Sequence, residues 1–423
     1  MKYITKNLRT CKLHIIKTKK FKTITVRINF RSPIVKNEIT MRNILAEMFT
    51  QSSKNYKTKR DLTIKAQDLY SVGVNTTTNR LGNYTNLNFF LNVLNDKYTE
   101  KDNFIEAFNF FTDIIFNPDV EDNKFNKERL DIVKDLCRKT LLSLKEDPAS
   151  YSVLRMYESI DSNSPISYRM VGYLNDLDKI NESNLYEYYL KMLNNDLVDI
   201  FVIGDVKETE IIKLVKEKIK FKTLKKERVP YILKEVKPRT RLLKVTESIV
   251  NNQSNLVIGC RINNISEYER NYVLTLFNVI FGGSADSKLF KEVREKNSLC
   301  YTIHSVPNKF DNLLVIRAGI DKENYNKTVT LVDKILTSMK KGKFSDSDIN
   351  IAKEYYKTAL DDILEDQNRI IDDYFMSGII NTDNIEDKRK YIDKVTKSEI
   401  VKVAKKIKMD TIYLLEGDLN EKD

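Results

Sequence analysis

The sequence predicts an α+β fold in two tandem homologous domains, each a mainly antiparallel sheet with helices packed on one face. Three observations carry this. Runs with period-two alternation lead into helices with an apolar stripe. The strand pairs are joined by links too short for the crossovers that parallel pairing requires. One stretch of text recurs in the second half of the chain at nearly constant offset.

In the first half, Ile24-Thr25-Val26-Arg27-Ile28-Asn29-Phe30 alternates as a half-buried strand. A helix follows with Met41, Ile44, Leu45, Met48 and Phe49 on one stripe. Strand-like runs come next at 70–78 and 86–94, then a strongly apolar helix at 104–116 that Pro118 stops. The second half opens on the strand Ser254-Asn255-Leu256-Val257-Ile258-Gly259-Cys260. It continues with a helix at 267–280, strands at 300–306 and 312–319, a helix at 325–339, and a helix capped by Ser345 with Asp348 three residues on.

Leu177-Asp178-Lys179-Ile180-Asn181 resembles Ile392-Asp393-Lys394-Val395-Thr396, 215 residues later. The β-rich runs that follow end at Gly204 and Gly417, 213 residues apart. Two matches at nearly one offset argue for a duplicated domain. The expected division is 1–220, a charged linker at 221–241 holding Lys225-Lys226-Glu227-Arg228, Pro230 and Pro238, and 242–423.

Hydrophobic residues make up 41% of 423, enough for real cores, yet no run approaches the roughly 18–20 apolar residues of a membrane span. Met1-Lys2-Tyr3-Ile4-Thr5-Lys6 lacks the apolar region of a signal peptide, so a cytoplasmic location is expected. Cys11, Cys137, Cys260 and Cys300 are far apart and form no C-x-x-C pair, and they read as reduced thiols. The net charge of +12 comes from lysines spread along the chain rather than massed, with no zinc-finger spacing or RNP-type aromatics, so no nucleic-acid partner is expected. The chain has two histidines, His14 and His304. Neither has a second histidine at ligand spacing, so a two-histidine zinc site cannot be built, and each reads as an ordinary hydrogen-bonded strand histidine.

The most specific text is Phe281-Gly282-Gly283-Ser284, then Ser287-Lys288-Leu289-Phe290, then Val293-Arg294-Glu295-Lys296 through Leu299 and Tyr301 to Ser305. It resembles the second domain of the insulinase/pitrilysin family, which includes mitochondrial processing peptidase. Gly73-Val74-Asn75-Thr76-Thr77-Thr78, with Tyr84 after it, is similar to that family's G-x-x-N-A-x-T strand. Glu128-Arg129 and Asp147-Pro148 also resemble its pattern. Catalytic members carry H-x-x-E-H on the first helix, with two zinc ligands and a general base on one face. The corresponding stretch here has Asn43 for the first His, Ala46 for the base and Glu47 for the second His, with Asp135 near the third-ligand position. Carboxylates at Glu47 and Asp135 alone would suit harder cations than zinc.

The resemblance therefore implies no catalytic residue and no metal or other cofactor on this chain. It implies that Arg294 and Tyr301, a fixed multi-donor cation and a neutral OH donor, hold substrate carbonyls in trans. Asn75, Thr76, Thr77 and Thr78 become a candidate peptide edge strand. Gly282 and Gly283 stand where the non-catalytic processing-peptidase subunit has its glycine-rich loop, and are expected to make a tight turn with φ > 0. The function implied is that of a non-catalytic, peptide-binding subunit of a heterodimeric zinc metallopeptidase, like the bacterial inactive partners. Its partner would be an H-x-x-E-H subunit carrying the zinc, and its substrate a peptide. The alternative is a standalone or homodimeric peptide-binding scaffold.

Overall fold

The computed structural model describes residues 1–8, 10–219 and 228–418. Residues 220–227, including most of the lysine-rich part of the expected linker, lie outside the described residues, as do 419–423. The chain forms two compact units, Met1–Ser143 with Arg169–Pro230, and Leu144–Tyr168 with the chain from Tyr231 on.

In the first unit the strands are β1 (Lys2–Asn7), β2 (Lys12–Lys17), β3 (Thr23–Pro33), β4 (Gly73–Leu81), β5 (Tyr84–Leu94), a small hairpin of β6 (Val120–Glu121) and β7 (Lys124–Phe125), and β8 (Leu197–Gly204). The main sheet has the order β1-β2-β8-β3-β5-β4. Its pairs are antiparallel except β2 with β8. The strand expected from residue 70 starts at Gly73, because Tyr70 and Ser71 take positive φ of 60° and 57° to leave the helix Lys59–Asp68. A two-residue turn with Gly82 at φ 61° then returns β4 to β5. Helices Ile39–Met48, Asn103–Phe116 and Glu182–Asn195 contribute the core residues Leu45, Phe111 and Leu185. Phe89 of β5 meets Phe30 of β3 and Phe49 edge-on, at 5.7 and 4.9 Å between ring centroids.

The second unit holds β9 (Leu243–Ile249), β10 (Ser254–Ile262), β11 (Thr302–Asn308), β12 (Leu313–Ile320) and β13 (Ile407–Gly417), in the order β11-β12-β10-β13-β9. Read from β9, this is the order β2-β8-β3-β5-β4 of the first unit, with its single parallel pair, β9 with β13, in the same place. The α+β fold class and its duplication are therefore both present. The repeated text does the same work twice. Asn181 and Thr396 each cap a helix through a reciprocal capping box, to Asn184 and Glu399. Leu177, Ile180 and Leu185 in one copy, and Ile392, Val395 and Ile400 in the other, are all buried.

One element crosses the sequence order. The helix Pro148–Ile160, capped by Asp147 with Pro148 in its first turn, lies with the second unit. Its Val153, Met156 and Ile160 pack with Val257, Val315 and Tyr413. Leu256, Ile258, Leu314 and Ile316, alternating with these along β10 and β12, pack instead with Phe277, Leu336 and Val403 of the other helices. The second sheet thus has helices on both faces. Gly259 of β10 leaves room for this helix, since a Cβ there would lie 2.8 Å from Met156 Sδ and 2.9 Å from Ile160 Cδ1.

Gly282 and Gly283 do not make the expected left-handed turn. They end a helical run from Glu269 to Gly283 in which π-type turns flank Leu274–Asn278, and neither has a positive φ. The absence of a side chain serves close approach instead. A Cβ on Gly282 would lie 2.5 Å from Ser305 Oγ and 2.7 Å from Leu289 Cδ1. Ser305 in turn donates to Asn278 Oδ1 at 2.7 Å, which seats β11 against this helix.

Helix Ile39–Met48 is fixed by Arg42, which is 1% exposed. Its guanidinium donates to Asp196 Oδ2 at 2.6 Å, to the Phe30 carbonyl at 2.7 Å and to Tyr188 Oη at 3.2 Å. Burial opposes its charge, but Asp196 and Tyr188 hold its pKa above the ordinary arginine value. Among the described residues, no helix is long and apolar enough to cross a membrane.

Two predictions follow from this packing. Gly282→Ala lowers stability by about 1–3 kcal/mol through overpacking against Ser305, whereas Gly378→Ala, on an exposed helical site with nothing within 4 Å, raises it by up to about 1 kcal/mol. Opposite-signed shifts of the thermal midpoint check this pair. Arg42→Met, which removes the buried guanidinium from Asp196, costs about 3–5 kcal/mol in denaturant unfolding, and Arg42→Met with Asp196→Leu recovers part of that loss.

Candidate functional site: a cleft without histidine and an exposed Arg–Tyr motif

In the first unit, helix Ile39–Met48, strand β4 and helix Lys127–Leu142 enclose a cleft of about 370 Å³. All three degenerate motif positions, Asn43, Ala46 and Glu47, line it together with Thr76, Thr77 and Thr78. The spacing of three and four residues on one helix explains why the three share a face. The cleft is chemically quiet at the positions where a metal centre would stand. Both ends of the Asn43 amide are engaged, its Nδ2 donating to the Met170 carbonyl at 2.5 Å and its Oδ1 accepting from Thr78 Oγ1. Ala46 contributes only its carbonyl, which accepts from Thr76 Oγ1 at 3.0 Å. Glu47 is exposed.

Helix Lys127–Leu142 presents Leu136, Cys137 and Thr140 to the cleft, while Asp135 is exposed and does not line it. Burial, reinforced by the nearby Glu47 carboxylate, raises the Cys137 thiol above the usual cysteine value. Among the described residues, no group of three or more His, Cys, Asp or Glu side chains is arranged to hold a metal ion. Two larger clefts of the first unit, about 570 and 890 Å³, border helix Asn103–Phe116 and contain none of the motif positions.

The edge position of β4 is direct, since among the described residues β5 pairs with it on one side and no strand on the other. Thr76 and Thr78 are half-buried, and Asn75 and Thr77 are exposed. Thr77 accepts from Asn88, in a network that also ties Asn86 and Asn79. The Thr76 N–H is held at 2.8 Å by the side chain of Asn75, which occupies one backbone donor of the strand.

The two histidines stand elsewhere. His14 on β2 is buried, its Nε2 2.9 Å from Asp199 Oδ1 and its Nδ1 2.6 Å from Tyr3 Oη, and it stacks on Phe201 at 4.1 Å. Burial and the Arg317 charge hold His304, on β11, below the ordinary histidine value.

In the second unit Arg294 lies in the helical turns Phe290–Lys296, and Tyr301 directly precedes β11. Like β4, β11 is a sheet edge. Arg294 is exposed, with its guanidinium 4.7 Å from the centre of the Phe290 ring. Tyr301 is 57% exposed and donates its OH to Asp321 Oδ1 at 3.0 Å, a bond that raises its pKa. The Arg294 charge also acts on the Cys300 thiol, although burial is stronger and pushes that thiol up to about 11. Sequence reasoning missed Leu136, Cys137, Thr140 and Met170 as lining residues, and also Asp321. For the first three, the helical spacing 136, 137, 140 was the available signal, whereas the partners of Asn43 and Tyr301 arise only from the fold.

Residues 179–356 match the model of the peptidase M16 inactive domain. The chain is 27% identical over 410 residues to the probable inactive metalloprotease YmfF of Bacillus subtilis (strain 168), covering 96% of this chain and 95% of that one. A conserved protein of Enterococcus faecalis V583 superposes with a TM-score of 0.91 at 28% identity, over 99% of this chain and all of that one (100%). A peptidase M16 inactive domain from Pseudomonas fluorescens does so with a TM-score of 0.78 at 14% identity, over 100% of both chains, a likeness of fold. Residues 179–356 thus match the peptidase M16 inactive domain, and over nearly its whole length the chain is similar to a protein named as a probable inactive metalloprotease, in keeping with the insulinase/pitrilysin family that its motifs resemble.

Proposed function

We propose that this chain is the non-catalytic, peptide-binding subunit of a heterodimeric zinc metallopeptidase of the bacterial cytoplasm, and that it lends Arg294 and Tyr301 to the H-x-x-E-H site of its partner. The observation that carries the proposal is the contrast between the two motifs. The cleft at Asn43, Ala46 and Glu47 has no histidine in its lining, and both ends of the Asn43 amide are bonded within the protein. Arg294 and Tyr301, by contrast, remain exposed.

The chemistry supports a role in trans. A guanidinium and a neutral phenol are donors suited to a polarised peptide carbonyl and to the oxyanion it becomes. The Tyr301 OH is now spent on Asp321, so peptide binding would exchange one acceptor for another rather than recruit an idle group. The zinc and the general base would belong to the partner. An extended peptide would add to the open edge of β4, with Asn75, Thr76, Thr77 and Thr78 as the pairing segment. A homodimeric or standalone peptide-binding scaffold is the second reading, favoured by the same open edge if no partner exists.

Co-purification with an H-x-x-E-H protein from the same cell tests the proposal. A stoichiometric complex is expected, with peptidase activity that falls about tenfold or more on Arg294→Ala or Tyr301→Phe while assembly, read by size-exclusion chromatography, is unchanged. Stoichiometric zinc and turnover by the isolated chain would overturn it. Equal activity of both variants in the complex would remove Arg294 and Tyr301 from the role.

A further inference from the structure

A chain of side-chain hydrogen bonds crosses one face of the first sheet, taking one residue from each of the neighbouring strands β1, β2, β8 and β3. The strand register puts these residues on the same face. Thr5 stands opposite His14, so Tyr3 is the diagonal neighbour of the histidine. Phe201 stands opposite His14 on the other side, with Asp199 two residues before it. Asn29 stands opposite Asp199, with Arg31 two residues on. Tyr3 Oη lies 2.6 Å from His14 Nδ1, and His14 Nε2 lies 2.9 Å from Asp199 Oδ1. Arg31 Nη2 donates to the other oxygen of that carboxylate, Oδ2.

The carboxylate sets the position of each proton. Burial opposes the charge of Asp199, but His14 and Arg31 hold it below the usual carboxylate range. An ionised carboxylate only accepts, so the ring proton sits on Nε2 and Nδ1 is left to accept from the phenol. The imidazole cannot tilt freely, because it stacks on Phe201 at 4.1 Å with 7° between the planes. His14 and Asp199 are buried, whereas Tyr3 on the edge strand is 37% exposed. Burial also raises the Tyr3 phenol above the ordinary tyrosine value, so at neutral pH it keeps its proton and needs a base to react. A hydroxyl within hydrogen-bond reach of an imidazole, itself oriented by a carboxylate, is the arrangement that activates a nucleophile.

We propose that Tyr3 is a nucleophilic phenol, with His14 as its general base and Asp199 as the positioning residue, and that it accepts an acyl group from activated esters. Tyr3 Oη bonds to the ester carbonyl carbon while His14 Nδ1 takes the phenol proton. The bond from that carbon to the leaving oxygen then breaks, and the proton passes from Nδ1 to the departing alcohol or phenol. The product is an O-acyl tyrosine, with no change of oxidation state. This site is independent of the Arg294–Tyr301 motif and of any peptidase partner.

The full chain treated with p-nitrophenyl acetate at pH 7, with acetylated residues located by peptide mapping in a mass spectrometer, tests the proposal. Tyr98 and Tyr355 are internal references, since at 53% and 51% they are more exposed than Tyr3 and neither is bonded to a histidine. Tyr3 is expected to acetylate at least about tenfold faster than either, a rate ratio that general-base assistance supplies and exposure does not. In the urea-unfolded chain that advantage disappears. His14→Phe, which keeps a ring on Phe201, is expected to bring Tyr3 down to the rate of the references. Equal rates at Tyr3 and Tyr355 in the native chain, or a Tyr3 rate unchanged in His14→Phe, would overturn the proposal. The comparison within the unaltered chain decides the matter even where the variant folds poorly.

Discussion

The buried ion pair of Arg42 with Asp196 is the contact on which the first unit's cleft depends. Arg42 immediately precedes Asn43, so the same turn of helix that presents the motif face to β4 sends a guanidinium in the other direction. That guanidinium joins three elements. It reaches the backbone of β3 at Phe30, Tyr188 on helix Glu182–Asn195, and Asp196 at the end of that helix. A pair this deeply buried is weak evidence for net stability, because two desolvated charges cost nearly what their attraction returns. It is a strong constraint on geometry, since the helix cannot slide or rotate without stranding a charge. The ion pair therefore holds the cleft wall in place.

The same logic extends to the duplication. Both units reach the same strand order, with one parallel pair at the same position, and both use a capped helix before the last strand. The equivalents β4 and β11 are both sheet edges, and each runs beside one of the two family motifs. A fold repeated in this way offers one type of open edge twice. The first copy carries Asn43, Ala46 and Glu47 beside its edge, and the second carries Arg294 and Tyr301. What differs between the copies lies at the other edge and on the sheet face. Among the described residues, only the first sheet has the additional strand β1 on the side away from β4, and the second receives Pro148–Ile160.

Much of this was legible in the residues because it rests on local physics. The apolar run expected at 104–116 is helix Asn103–Phe116, and Ser345 with Asp348 makes the expected capping box. Alternation placed β3, β5, β10 and β12 to within a few residues. The placement of Pro148–Ile160 was not legible, since which sheet an amphipathic helix covers is decided by tertiary packing. Its one trace is Gly259, a strand glycine where another element comes close. Gly282 and Gly283 misled for a related reason. A glycine pair signals either a left-handed turn or close approach, and only the neighbour, here Ser305, distinguishes them. The buried arginine was visible as a charge next to an apolar stripe, but its partner lies 154 residues away.

The site divides along the same line. Residue identity alone excludes a two-histidine zinc site, because two histidines at positions 14 and 304 are the whole supply. Geometry adds what replaced it. A lost ligand could leave an unsatisfied polar group facing the cleft, which would be costly and prone to drift. Instead the Asn43 amide bridges the Met170 carbonyl and Thr78, and Ala46 is tied through its carbonyl to Thr76, so helix and edge strand are joined to one another by hydrogen bonds. An amide has both a donor and an acceptor to spend on such a bridge, which a neutral imidazole would satisfy only in one tautomer. Asn43 and Ala46 thus act as a structural clamp between the motif helix and β4. That clamp fixes the spacing between the helix and the edge strand, which is the geometry the proposed pairing of an extended peptide with β4 requires.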